Sequence, residues 1–567
     1  MSLFGSIQMA GNTLQAMQIG LHVVGNNIAN ANTPGYIRER VLYAPAPVQK
    51  VGNLTLGNGV EIAGIIQNID QFVEERLRDV GGDRASADIQ QKVYKDLETI
   101  LNALDGKTSV STAMTDFFNG IIEVVDHPED MGLRGLAVDA GKILTTKINT
   151  LHRRVSTAYE EFSVGVDQLT SEINTLTEQV RGLNLKIVAL EGGQSIANQA
   201  GGLRSQRNVA LKRLSEIANV KITENRVGSV GVSLNGEVLV HEGTRREVKT
   251  VYSSEDGRQV ANVEYVDGGG PLQVASGELH GLYAARDEIV GGFIDKLDDF
   301  AGALAFEFNK VYTQGQGASG YSSITSVEQV DNPHAELDAA GLDFTPVNGQ
   351  FDVILYNTTT KQHTTRTISV DLNGLQEDSS LATVAAQIDA IDGVRAEITS
   401  DNRLKITAES TDSRVAFDND NSGFLAAIGV NTFFTGSNAG DISIDAVVAV
   451  DPSKFAASEV GKIGVDVGNA KKLVALQDAG LATLNGNTIT GLYDQLVDTT
   501  SQGSAVAESI ADGFEVFEQT LEAQSQAVSG VNIDEEAIDM IMLQQTYQAS
   551  ARYISTLAEL MDVLVAL

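Results

Sequence analysis

The sequence predicts a multidomain α+β protein with terminal coiled-coil helices, a long-helix bundle shaft and inserted β-rich domains. Three observations carry that expectation. Both ends repeat apolar residues at alternating steps of three and four, the spacing of a coiled-coil seam. Helical periodicity dominates residues 70–218 and returns from about 468. Between these stretches, residues 220–274 and 313–452 change to period two, with Gly, Asn and Asp at the turns.

At the amino end the seam is Leu3, Ile7, Ala10, Leu14, Met17, Leu21, Val24 and Ile28. Apart from the terminal amine and a possible charge on His22, nothing before Arg38 is charged. A helix meant for open water normally carries Glu–Lys pairs on its outer face, so this one reads as a helix surrounded by other protein, or as an ordinary amphipathic core helix. At the carboxyl end Met540, Leu543, Tyr547, Ser550, Ile554, Leu557, Met561 and Leu564 repeat the alternation. Asp534, Glu535 and Glu536 crowd its first turn, where carboxylates complement the helix dipole, and Asn532 is the expected cap. At 1.5 Å per residue the two helices would be about 40 and 50 Å long. Two such helices at opposite ends suggest that the termini meet and the rest is inserted between them.

"GNNIANANTPGY", residues 25–36, follows the first seam. Asn30 and Asn32 are expected in the left-handed conformation that ends helices, and Thr33-Pro34-Gly35-Tyr36 fits a type II turn. A phosphate loop would need a strand before it and a helix after it, and here the order is helix, turn, strand.

The expected domains are 1–30 with 531–567 as a coiled coil, and a helical shaft from 31–219, 277–314 and 457–530. Residues 220–276 form a small β region, and 315–456 an outer β-rich domain of one or two units. Breaks are expected at Gly81-Gly82, Gly106, His127-Pro128 and Gly192-Gly193. Leu169, Ile173, Leu176, Val180, Leu183, Ile187 and Leu190 form a third seam, read as part of a rod-like bundle. Asn235-Gly236 is a hairpin signal, a short helix is expected over 381–391, and a second hairpin turns through Ser400-Asp401-Asn402.

At 567 residues the chain should hold three to four units. Lys and Arg number 40 against 75 Asp and Glu, a net charge of −35, which disfavours nucleic acid and anionic membranes. The absence of cysteine removes disulfides, thiolate metal sites and thiol nucleophiles together. No cationic stretch precedes an apolar run at the amino end, and no run reaches the roughly 18 residues of a membrane span. A cytosolic protein is the default, or one exported by a route that reads no cleavable signal.

Catalytic, cofactor and metal sites are not expected. Gly315-Gln316-Gly317-Ala318-Ser319-Gly320 matches G-x-G-x-x-G but leaves a helix and enters none, so it reads as a flexible exit. Asp418 to Gly423 resembles the start of a calcium loop, yet Gly429 stands where the bidentate carboxylate belongs, which favours a polar turn. The seven histidines are scattered, and no nucleophile elbow appears.

"GNNIANANTPGY", preceded by "TLQAMQIGLHVV", resembles the amino-terminal signature of the axial proteins of the bacterial flagellum: rod, hook and hook-associated proteins. The carboxyl end, "SGVNIDEEAIDMIMLQQTYQASARYISTLAELMDVLVAL", is similar to the matching end of the hook-associated members that join hook to filament. Gln544-Gln545 stands where rod and hook proteins more often carry Gln-Arg. Residues 116–144, 203–220 and 422–445 also resemble hook-associated segments, with Ile37 in place of a frequent Ser and Asn208 in place of a frequent Asp.

The resemblance implies a structural, non-enzymatic junction subunit without cofactors, exported unfolded and assembled through its terminal helices. It further implies self-association in a ring or tube, contacts with hook protein and the second hook–filament junction protein, and an export chaperone on the carboxyl-terminal helix. The apolar residues of the two terminal seams, without Ser550, are the expected assembly interface. Asn26, Asn27, Asn30, Asn32, Thr33, Pro34, Gly35 and Tyr36 are the signature turn. Alternatives are a hook or rod protein of the same family, or a surface hydrolase or adhesin on helical stalks. The long helical stretch favours the junction protein, since hook protein is chiefly β between its terminal helices.

Overall fold

The computed structural model describes residues 3–51, 54–102, 109–192, 200–255, 257–268, 270–375, 377–460 and 466–566. It is a multidomain α+β structure of two compact units. One contains residues 1–93, 160–286 and 505–567, the other 94–159 and 287–504. Among the described residues no helix is long and apolar enough to cross a membrane.

In the first unit, helix Leu3–Asn30 packs against helix Ile533–Ala566 and against the antiparallel hairpin of strands Glu39–Pro45 and Val60–Gln67. The third seam lies on the 61-residue helix Met131–Glu191. Its residues from Leu169 to Ile187 are buried, but much of what they meet is a sheet: the cluster that holds Ile173 and Val180 also holds Val230, Val232, Val240, Val248 and Val263. An apolar stripe at helical spacing fits a sheet face as readily as a second helix. Leu190, the last seam residue, is 71 % exposed one residue before the helix ends.

Two asparagines on that helix act as short pieces of strand. Asn184 accepts from the Val230 N–H at 3.1 Å and donates to the Val230 carbonyl at 2.8 Å. Asn174 does the same for Val248, at 3.1 and 2.7 Å. Each amide satisfies one backbone donor and one acceptor that burial would otherwise leave unpaired. The Asn235-Gly236 hairpin forms with positive φ at both residues, as a type I′ turn requires.

Gly81 and Gly82 do not break their helix, which runs unbroken over Gln71–Asn102. A Cβ on Gly82 would stand 2.9 Å from the Ser215 carbonyl, so this glycine permits close helix approach. Gly106 and Gly193 lie outside the described residues. The helix preceding Gly192-Gly193 does end there, with Gly192 at φ +63°.

The second unit has two hydrophobic centres. Phe117, Phe308, Tyr312, Phe434 and Phe455 gather around Phe433, and Asn309 fixes the backbone of Phe433 and Phe434 through its side-chain oxygen. The outer centre lies between two three-stranded sheets and helix Leu381–Asp389. The hairpin over Ser400–Asn402 forms, with Asn402 at φ +57°.

The 315–320 glycines are not a flexible exit. Gly315 and Gln316 pair with Ser458 and Glu459, and Cβ atoms on Gly315 and Gly317 would fall 2.7 and 2.6 Å from the Ala456 and Ser453 carbonyls. The Lys454 ammonium donates to the Ser319 and Gly320 carbonyls, both at 2.6 Å. In the 418–423 turn, Asp420 is buried and accepts from the backbone of Ser422, Gly423 and Leu425 and from the Ser422 hydroxyl. Those donors occupy its oxygens, so this is the polar turn.

Asn184→Leu should cost about 3 kcal/mol, because Val230 loses both partners in a buried site. Amide exchange over residues 230–248 in the full chain reads the loss, and unchanged protection would contradict this account.

Candidate assembly site

The amino-terminal helix carries its chain directly to the signature turn. Neither Asn30 nor Asn32 adopts a left-handed conformation; Gly35, at φ +74°, is the one residue from 25 to 36 that does. Asn30 is held helical because its amide donates to the Asn26 carbonyl at 2.9 Å and to the Asn26 side-chain oxygen at 3.0 Å. The chain then tightens through Thr33 N–H to the Asn30 carbonyl, 2.9 Å, and closes the type II turn with Tyr36 N–H to the Thr33 carbonyl, 3.1 Å. A Cβ on Gly35 would lie 2.3 Å from Val209 of helix Gly201–Ile217, so positive φ and close packing both require glycine here.

Asn27 and Glu536, 1 % exposed each, meet at the centre of the site. The Asn27 amide donates to the Glu39 carbonyl at 2.9 Å and to the Glu536 carboxylate at 3.0 Å. Its oxygen accepts from the Tyr36 hydroxyl at 2.9 Å and from the Glu39 N–H at 3.0 Å. On the other side, Arg38 Nε donates to Glu536 at 2.6 Å, and Nη1 to Glu535 at 3.2 Å. The Arg38 N–H and the Asn68 side chain donate to the Ser529 and Val528 carbonyls, at 2.9 and 2.7 Å. They thereby satisfy carbonyls that the end of helix Ile489–Ser529 leaves open. Asn532 caps the next helix by accepting from Asp534 N–H at 3.0 Å.

Burial, reinforced by the charges of Glu39 and Glu536, pushes the Tyr36 phenol well above its usual range and keeps it a donor. Burial also raises the Glu39 carboxyl above its ordinary 4.5, against the opposing effects of the Asn26 side chain and His22.

The terminal helices run antiparallel: Glu536 meets Asn27, and one heptad further on Leu543 lies beside Gly20. A Cβ on Gly20 would stand 2.4 Å from the Tyr43 hydroxyl and 3.2 Å from Leu543. Ala10, Met17, Val24 and Leu557 of the seams are buried. Leu3, Ile7, Leu14, Leu21, Ile28, Met540, Leu543, Ile554 and Met561 are half-buried, Tyr547 is 37 % exposed, and the Leu564 side chain lies outside the described residues. The structure therefore sets much of the seam within the chain. A second stripe on the carboxyl helix, Ile538, Met542, Tyr553, Leu560 and Val563, is 43–63 % exposed. Its spacing was readable in the sequence, but nothing there ranked it against the first. Asn32, Thr33 and Pro34 are exposed on a cleft of about 680 Å³.

Three family models match this chain. The flagellar hook-associated protein FlgK helical domain covers residues 94–324. The flagellar basal body rod FlgEFG protein C-terminal covers 523–567, and the flagella basal body rod protein covers 7–36. Together they take in more than half of the chain. Flagellar hook-associated protein 1 of Escherichia coli is 26 % identical over 573 residues, covering 99 % of each chain. Its Salmonella typhimurium counterpart is 27 % identical over 585 residues with the same coverage. A solved structure of the flagellar hook junction protein FlgK from Burkholderia pseudomallei aligns with 80 % of this chain and 100 % of that one, at 14 % identity and a TM-score of 0.48.

Two outcomes test the site. Arg38→Met leaves the buried Glu536 carboxylate with Asn27 alone and should cost about 3 kcal/mol, seen as faster amide exchange across residues 533–566. Glu39 binds its proton more tightly when folded, so its contribution is full in acid and is lost as pH rises through its raised folded value. Glu39→Gln should therefore raise the thermal midpoint at pH 7 and flatten its decline above pH ~4.5; an unaltered pH profile would refute this.

Proposed function

This chain belongs to the flagellar hook-associated protein 1 family, structural components of the bacterial flagellum at the junction between hook and filament, and we propose that it is built into that junction through its terminal helices. The observation that supports this is the second apolar stripe. The carboxyl helix uses one side against the amino helix and leaves Ile538, Met542, Tyr553, Leu560 and Val563 in solvent. An exposed apolar line of that length on a clasped, oriented helix suits packing against neighbouring helices.

In this reading copies of the chain associate in a ring or tube, with hook protein on one side and the second junction protein on the other. The subunit leaves the cell unfolded, with a chaperone on the carboxyl-terminal helix. An uncharged first helix and the absence of cysteine suit that route. No catalytic step belongs to the reading.

Paired substitutions separate the two stripes. Tyr553→Asp should abolish incorporation at hook tips while the monomer keeps its terminal-helix exchange protection. Leu557→Asp, on the inner stripe, should lose both. Normal junctions with Tyr553→Asp would sink the proposal.

A further inference from the structure

A cavity of about 180 Å³ opens between helix Gln71–Asn102, helix Gly201–Ile217 and strands Lys221–Glu224 and Val230–Leu234, and every residue that lines it belongs to the first unit. Arg78, Arg204 and Arg207 all line it. Arg204 is fully engaged: Nε and Nη2 reach Glu191 at 2.9 Å, and Nη1 holds Glu224. Arg207 is 2 % exposed; its Nη1 donates to Asn184 at 3.0 Å and to the Gly228 carbonyl at 2.7 Å, and its Nη2 stands 3.4 Å from Glu224. Its Nε has no partner. Arg78 makes no hydrogen bond or ion pair among the described residues, and the Asn208 amide on the same wall makes none either.

The carboxylates of the wall do not supply what is missing. Glu224 is shared by Arg204 and Arg207, and Glu74 accepts from the Ser525 hydroxyl at 2.5 Å. Glu74, and after it the exposed Glu75 and Asp79, act on Arg78 through charge without a hydrogen bond or ion pair. Burial accordingly pushes Arg207 down to about 10 in spite of Glu224, and pulls Arg78 below its ordinary value. A buried guanidinium with an unused N–H, a second guanidinium without a hydrogen bond and an uncharged amide donor all line one small space. A planar, multi-donor cation favours oxygen atoms in that position.

We propose that this cavity binds one tetrahedral inorganic oxyanion, phosphate or sulfate, held by Arg78, Arg207 and Asn208. The site tethers the first helix after the signature turn to helix Gly201–Ile217 and to the sheet beyond it. An occupied cavity therefore stiffens the base on which the clasp sits.

Thermal unfolding of the full chain, titrated with inorganic phosphate at constant ionic strength, tests it. The midpoint should rise saturably with phosphate and with sulfate but not with chloride. Asn208→Asp, which adds a carboxylate without changing volume, should weaken the apparent affinity at least tenfold, and Arg78→Gln should do the same. Neither side chain holds a hydrogen bond whose loss would unfold the chain. A midpoint that follows ionic strength alone, or a phosphate affinity unchanged in Asn208→Asp, overturns the proposal.

Discussion

The first unit depends on one buried carboxylate. Glu536 sits between Asn27 of the amino helix and Arg38 just past the signature turn, and its partners are 509 and 498 residues away in the chain. A carboxylate taken out of water is costly unless paired and hydrogen-bonded, and here both conditions are met by residues from the opposite end. Apolar packing along the seam could tolerate a slip of one heptad; the clasp could not. It therefore sets register and direction, while Leu543, Leu557, Met17 and Val24 supply burial.

The signature turn is legible in these terms. Gly35 is required by its positive φ and by Val209, Tyr36 by the hydrogen bond to Asn27, and Asn30 by its grip on Asn26. Asparagine after a helical stretch suggested a left-handed stop, but its amide found a better partner one turn back. A side-chain hydrogen bond within the helix competed with the local preference and won.

The fold class, both long terminal helices, the Asn235-Gly236 hairpin and the 400–402 turn could be read directly, because they rest on periodicity and local turn chemistry. What could not be read depends on who stands opposite. The seam from Leu169 to Ile187 has the same spacing whether it meets a helix or the sheet around Val232 and Val263. Gly82 and Gly315 looked like interruptions, yet each admits a neighbouring carbonyl where a Cβ would collide. Arg38 and Glu536 carried no local signal at all: one follows a turn, the other joins an acidic first turn that the helix dipole already explains. Only the fold shows that they belong together.

The separation of the clasp partners also has an entropic consequence. Closing a flexible loop of that length would cost about 5–6 kcal/mol in chain entropy beyond a constant term. Each inserted region that folds shortens the effective loop, so the cost falls as the middle of the chain acquires structure. The contact between the first and last helices is thus cheapest to make once the regions between them have folded.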